Sequence, residues 1–125
     1  MSSNKKNKVN LIIITGPTAC GKTSMAVRLA GDIKGEIISA DSRQIYRGMD
    51  IGTGKDLNEY EYNGMNIPYH LIDILDPMEN YSVHNFQQDF FHSFNSINNN
   101  KNIPIVCGGT GLYIESILLD YDLSN

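Results

Sequence analysis

VNLIIITGPTACGKT, residues 9–23, decides how the rest of the chain is read. Val9–Ile14 is a short, nearly continuous apolar run rich in β-branched residues, the pattern of a strand buried on both faces of a parallel sheet. Gly16, Pro17, Thr18, Ala19, Cys20, Gly21, Lys22 and Thr23 then fit the pattern G-x-x-x-x-G-K-[ST]. Each fixed position has a physical reason. Glycine lets the backbone curl so that successive N–H groups point at one anion. The helix that opens near Thr23 adds the positive end of its dipole. Lys22 supplies a mobile cation, and the Thr23 hydroxyl suits Mg²⁺. A turn of this kind between a strand and a helix is expected to hold a phosphate or pyrophosphate group.

Outward from the loop, Met25, Ala26, Leu29, Ala30 and Ile33 recur at helical spacing, and Gly35 is the expected helix stop. Glu36–Ser39 reads as a second strand, with Asp41–Gln44 just beyond its C-terminal end. The glycine-rich, polar stretch from Gly48 to Pro68 reads mostly as loop. Tyr69–Leu75 is expected to form a third strand, broken by Asp76-Pro77. Ser82 is placed to cap a helix whose apolar stripe is Val83, Phe86, Phe90, Phe94 and Ile97, and Asn98–Asn100 end it. The spacing of those phenylalanines is that of a core, not of a ligand pocket. Ile103–Cys107 is another buried strand, with Pro104 tolerated only because it lies near the start. The turn Gly108–Gly111 leads into a helix over Leu112–Leu119. Strand, turn and helix in alternation predict an α/β fold, a P-loop NTPase-like three-layer arrangement with a parallel sheet and right-handed crossovers. Residues 1–8 read as a flexible polar arm, 9–120 as the P-loop α/β domain and 121–125 as a tail.

The bulk properties narrow the function. A chain of 125 residues, 41% hydrophobic and 19% charged, fits one globular domain. No apolar run nears the roughly 20 residues of a membrane span, and the basic start (Lys5, Lys6, Lys8) lacks the features of a secretory signal. A cytoplasmic location with no membrane partner is expected. Two cysteines, Cys20 and Cys107, make no disulfide framework. His70, His84 and His92 are scattered and read as surface or packing residues rather than zinc ligands. A net charge of −4 argues against a broad nucleic-acid surface within these residues.

Three polar or glycine-rich stretches, Gly16–Thr23, Asp41–Gln44 and Gly108–Gly111, fall at strand C-terminal ends, where ligands of open α/β sheets bind, so one shared site is expected. The loop by itself does not say what attacks or what leaves. A nucleotide kinase, an ATP-binding NTPase or a pyrophosphate-releasing transferase would each use it. An NTPase normally places an acidic residue at the end of an apolar strand to hold Mg²⁺, and Asp73 is the available candidate.

The stretches GPTACGKT (16–23), ISADSRQIYRGMDIGTGK (38–55), PYHLIDILDP (68–77) and IPIVCGGTGLYIE (103–115) together resemble bacterial tRNA dimethylallyltransferases. The resemblance covers Leu11 to Glu115. It rests most on the DSRQ run at 41–44 and the GGTGLY run at 108–113. It implies transfer of a five-carbon group from dimethylallyl diphosphate to N6 of an adenine beside the tRNA anticodon, with the P-loop holding the donor's diphosphate rather than ATP. Asp41 matches the catalytic aspartate of that family. Thr110 matches the residue that helps hold the target base. Ser42, Arg43 and Gln44, with Asp41 and Thr110, match positions that touch the tRNA. Cys20 stands where the family usually has serine, Gly54-Lys55-Asp56 where Ala-Lys-Pro is commoner, and Tyr69 where histidine is frequent. Members continue past the GGTGLY helix with a helical, basic, tRNA-gripping part, so the resemblance implies a truncated version of the arrangement. It further implies Mg²⁺ as cofactor, tRNA and dimethylallyl diphosphate as partners, and a monomer. Prenylation of a free adenine nucleotide, a small-molecule kinase and an inactive remnant are the competing readings.

Overall fold

The computed structural model describes residues 11–16, 21–47 and 59–124, with backbone alone from 120 onward. Within them the chain runs β1 (Ile12–Thr15), α1 (Lys22–Ile33), β2 (Gly35–Ser39), β3 (Glu61–Tyr62), β4 (Met65–Asn66), β5 (Tyr69–His70), α2 (Val83–Asn99), β6 (Ile103–Gly108) and α3 (Gly111–Ser124). β1, β6, β2 and β5 pair in that order as a parallel sheet, and β3–β4 form a separate antiparallel hairpin. The arm at 1–8, with Val9, Asn10 and Asn125, lies outside the described residues, as do Pro17–Cys20 and Gly48–Asn58.

Strand alternation sorts the apolar residues into two cores, one on each face of the sheet. Ile12, Ile14, Ile37, Ile105 and Cys107 face α1, where Ala26, Val27 and Ala30 meet them. Ile13, Ile38, Ala40 and Val106 face the opposite way, toward Phe86, Phe90 and Ile97 of α2 and Tyr113 and Ile117 of α3. The result is the expected three-layer α/β architecture, helix on both sides of a parallel sheet. Phe86 and Phe90 are fully buried, and Phe86 stacks on Tyr113 with ring centroids 4.2 Å apart. The phenylalanine stripe is therefore core.

Several local details differ from the sequence reading. α1 ends not on Gly35 but on Lys34, which takes the left-handed conformation (φ 60°). Gly35 instead opens β2, where an added Cβ would lie 2.7 Å from Ile105 Cδ1 and 3.2 Å from Ala30 Cα. Close helix–sheet contact, not backbone sign, demands that glycine. On α1, Met25, expected on the apolar stripe, is 58% exposed, and Val27, which the stripe did not include, is in the core. The third strand is confined to Tyr69–His70, because Leu71 and Asp73 adopt positive φ (66° and 59°) and turn the chain away. The helix expected over Leu112–Leu119 starts at Gly111 and runs to Ser124, so the backbone of 121–124 continues it.

Other expectations hold. Ser82 caps α2 through a reciprocal capping box with Asn85. Pro104 is the second residue of β6, a central strand. Ile103 N–H bonds Lys34 O on the β2 side, so the Pro104 nitrogen faces away from β2, and its missing N–H costs no bond to that strand.

At the end of the sheet away from those turns, Glu36 is 3% exposed and fully partnered. It accepts from His70 Nε2 (2.8 Å), Asn100 Nδ2 (3.0 Å) and Asn102 Nδ2 (2.8 Å). Burial pushes its carboxyl up, but the bonds from His70, Asn100 and Asn102 together outweigh burial and hold it below the usual carboxylate range. The sign follows from linkage. A carboxyl depressed in the folded state stabilises above its unfolded pKa, and that contribution disappears as pH falls through the folded value. Glu36→Gln is therefore expected to lower the unfolding midpoint at pH 7 and to leave a smaller difference from the parent at pH 3, read by thermal denaturation. Glu36→Ala should destabilise by about 3 kcal/mol at neutral pH, because buried donors lose their acceptor.

Candidate active site

α1 and α3 leave the C-terminal ends of the adjacent strands β1 and β6 and pack on opposite faces of the sheet. That divergence opens a crevice at the strand ends, where ligands of such sheets bind. The three predicted turns meet there. Gly16 (φ 149°) begins the phosphate loop, and Gly21 (φ 70°) stands at the N-cap of α1, both in backbone conformations that favour glycine. Lys22 is the first residue of α1 and is 6% exposed. Pro17, Thr18, Ala19 and Cys20 lie outside the described residues.

The DSRQ turn and the GGTG turn are tied to each other. Ala40 N–H donates to Cys107 O (2.9 Å), and Thr110 N–H donates to Ala40 O (3.1 Å). Ser42 N–H donates to Thr110 Oγ1 (2.9 Å). Thr110 also lends its carbonyl to the first turn of α3, accepting from Tyr113 and Ile114 N–H. Its backbone thus caps the helix while its hydroxyl fixes the neighbouring turn. An added Cβ on Gly109 would stand 3.3 Å from Gly16 O, so the GGTG turn also lies against the start of the phosphate loop.

Asp41 is 7% exposed. Its Oδ1 accepts Arg43 N–H at 2.9 Å, and its carbonyl accepts Gln44 N–H at 3.0 Å. The Arg43 guanidinium lies 3.6 Å from the same oxygen and is half exposed. Gln44 is largely buried, its Oε1 accepting from Ser39 Oγ (2.9 Å). Ser42 and Arg43 are the members of the run nearer solvent.

Two cavities share this crevice. The deeper is lined by Gly21, Lys22, Thr23, Ser24, Asp41 and Gln44, and by Glu59, Tyr60, Cys107 and Gly108. The outer is lined by Gly16, Lys22, Asp41, Ser42, Arg43, Gly109 and Thr110. Lys22 and Asp41 line both, forming the boundary between them. Cys107 sits on the deep floor, where burial pushes its thiol pKa up, with Lys22 and a hydrogen bond to Thr23 pulling against burial without overcoming it. It is a protonated, buried thiol. Asp73 lines neither cavity. Its N–H bonds Gln44 O, and it helps hold the DSRQ turn from behind. His70 is committed to Glu36.

Three cavity residues have no counterpart in the sequence reading: Ser24, next to the loop, and, farther along the chain, Glu59 and Tyr60. The last two are the less obvious. They precede the β3–β4 hairpin, which closes through Asn63 and Gly64, both with positive φ (53° and 78°). The signal was available: Tyr60, Tyr62, Met65 and Ile67 alternate around an Asn-Gly pair, a strong hairpin pattern that a glycine count alone reads as loop.

Thr23 suits Mg²⁺ in the way phosphate sites usually hold it, with one hydroxyl from the protein, oxygens from the ligand and retained waters. Asp41 and Glu59 are the acidic residues that line the same cavity. Among the described residues no group of three or more His, Cys, Asp or Glu is placed to hold a metal by itself. The fit therefore depends on a ligand bringing its own phosphate oxygens.

Comparison with known proteins agrees with this geometry. The family model described as IPP transferase matches residues 44–125, and that described as isopentenyl transferase matches residues 9–72. The chain is 58% identical over 114 residues to tRNA dimethylallyltransferase 2 of Bacteroides fragilis, covering 91% of this chain and 37% of that protein. It is 57% identical over 112 residues to tRNA dimethylallyltransferase 1 of Syntrophus aciditrophicus, covering 90% and 37%. Among solved structures, the full-length tRNA isopentenylpyrophosphate transferase of Bacillus halodurans superposes with a TM-score of 0.80 at 46% identity, over 88% of this chain and 35% of that one. A eukaryotic dimethylallyltransferase acting on tRNA superposes with a TM-score of 0.78 at 34% identity, over 86% and 26%. The chain thus spans a little over a third of the length of the curated relatives.

Proposed function

The chain belongs to the IPP transferase family, and from that premise we propose that it contributes the donor site and the catalytic carboxylate for transfer of a dimethylallyl group to N6 of an adenine in tRNA. The observation that carries the proposal is the shared boundary. Lys22 and Asp41 stand between a deep cavity under the head of α1 and an outer cavity beside Ser42, Arg43 and Thr110. That is the arrangement needed to hold a leaving group on one side and bring a nucleophile from the other.

The chemistry assigns the sides. In the transfer, the bond from the allylic carbon to the diphosphate oxygen breaks and its electron pair leaves with pyrophosphate. The lone pair of the adenine N6 forms the new carbon–nitrogen bond, and one N6 proton must be removed. Lys22, the loop amides and the N-terminal dipole of α1 stabilise the growing negative charge. Mg²⁺ held by Thr23 would neutralise part of the same charge. Asp41, at the boundary, receives the proton. Thr110 positions the turn that carries Asp41 through its bond to Ser42. Arg43 and Ser42, which line the outer cavity, take the acceptor's backbone in this reading, whereas Gln44 lines only the deeper cavity and is bonded to Ser39. The adenine must leave its stack to enter the outer cavity.

Asp73, the sequence candidate for a metal-binding strand-end carboxylate of a kinase or NTPase, packs behind the DSRQ turn, and the acidic residues that line the cavity with Thr23 are Asp41 and Glu59.

Titration with inorganic pyrophosphate in the presence of Mg²⁺ tests the donor half. Lys22→Ala should weaken binding roughly 10- to 100-fold, the loss of one charge-assisted contact, and ATP should not bind more tightly than pyrophosphate. Tight ATP binding with no response to pyrophosphate contradicts the assignment.

A further inference from the structure

Tyr60 is delivered to the crevice by an element outside the loop, strand and helix machinery described above. Its carbonyl accepts Ile67 N–H (2.8 Å), which anchors it to the open end of the β3–β4 hairpin, away from the Asn63-Gly64 turn. The hairpin itself docks on α1. An added Cβ on Gly31 would meet the Tyr62 ring at 2.3 Å, so a glycine in the last turn of α1 leaves the notch into which Tyr62 fits. The Tyr60 ring packs in the core with Ile37, Ile67 and Ile72 and tilts against Tyr69, centroids 4.8 Å apart. The bond from Ile67 fixes the backbone, and core packing with Tyr69 beside it fixes the ring.

The ring is buried, but the residue lines the deep cavity with Lys22, Thr23 and Asp41. Tyr60 lines two cavities: the one it shares with Asn66, Ile67, Pro68 and Tyr69 holds no charged side chain, whereas this one, with Lys22, gathers Asp41, Glu59 and Cys107. Burial and those neighbours push the phenol pKa well above its ordinary value. The group stays protonated throughout the physiological range, and a neutral phenol beside an anion can donate without adding charge.

Resting on the donor-site reading, we propose that Tyr60 is a substrate-binding residue whose phenol O–H donates to a phosphate oxygen of the bound diphosphate, complementing Lys22 and the loop amides. The contact strengthens as the diphosphate gains charge on leaving, so it contributes to turnover as well as to binding. The anion is then held from two independent elements, α1 and the hairpin. Substitution at Tyr62 or Gly31 would loosen the second grip without touching the first.

The test is calorimetric titration of inorganic pyrophosphate with Mg²⁺ into the parent, Tyr60→Phe and Lys22→Ala. Phenylalanine keeps the ring in the core, so the thermal midpoint of Tyr60→Phe should stay within a few degrees of the parent. Its pyrophosphate affinity is expected to fall about tenfold, the loss of one bond to a charged acceptor. Tyr60→Leu, which removes ring and hydroxyl together, should bind no better than Tyr60→Phe. If Tyr60→Phe binds like the parent while Lys22→Ala is impaired, the Tyr60 assignment is overturned and the donor site stands. If the parent does not bind pyrophosphate, the donor-site reading falls and takes the Tyr60 assignment with it.

Discussion

Asp41→Asn is expected to reduce prenyl transfer at saturating substrates by about two to four orders of magnitude, the usual contribution of a positioned general base. The assay should use the polypeptide as its gene encodes it. Asparagine keeps the oxygen that accepts Arg43 N–H, so the turn at 41–44 should persist. It removes the carboxylate to which the proposal gives the N6 proton. The binding consequence has the opposite sign. Asp41 places negative charge on the wall of a cavity assigned to an anion, so pyrophosphate affinity should hold or rise slightly in the variant. A purely structural role would lower both. Loss of turnover with intact or improved pyrophosphate binding separates the two, and a parallel fall in thermal midpoint and binding would remove Asp41 from the chemistry.

Gly108→Ala is expected to be strongly destabilising. An added Cβ would lie 2.4 Å from both the carbonyl carbon and oxygen of Ala40. Those atoms belong to backbone, and the backbone is held on both sides by Ala40 N–H to Cys107 O and Thr110 N–H to Ala40 O. No rotamer change relieves the clash, so the end of β6 must move away from the end of β2. Overpacking of this kind costs about 3 kcal/mol, and for a chain of this size the thermal midpoint should drop by about 10 °C or more. The same shift would pull the Thr110 turn from the Ser42 turn, so activity should fall even below the midpoint. Gly111→Ala is the control. Nothing lies within 4 Å of a Cβ there, and the residue begins a helix, so its midpoint should change little.

Much of this architecture is legible in the sequence because local and global signals agree. The apolar run before Gly16, the helix-spaced stripe after Thr23 and the Ser82 cap each specify one element, and the sheet places all three turns at one end. What escapes is decided by contacts between distant segments. Gly35 and Gly108 read as turn residues, yet each is required by a neighbouring element's approach: Ile105 and α1 in one case, Ala40 in the other. Lys34 takes the left-handed place expected of Gly35. The strand expected over 69–75 stops after two residues because the next residues are recruited to brace the DSRQ turn, with Asp73 N–H on Gln44 O and Ile74 N–H on Ile45 O. No periodicity encodes that demand.

The site follows the same division. Lys22, Thr23, Asp41 and Thr110 could be named from motif and resemblance, since each sits at a strand end in a recognisable run. Glu59 and Tyr60 could not be assigned to the cavity that way. Their place depends on how the hairpin docks on Gly31 through Tyr62, a contact between residues 31 positions apart in the numbering. Gln44 shows the converse: its motif membership says nothing of the bond to Ser39 that turns it inward.

The most direct measurement is incubation of the encoded polypeptide with dimethylallyl diphosphate labelled in the allyl group, unmodified tRNA and Mg²⁺, followed by digestion to nucleosides. The account predicts label in N6-substituted adenosine, with one pyrophosphate released for each label transferred. Unlabelled tRNA, accompanied by release or transfer of the γ-phosphate when ATP is supplied instead, would contradict it.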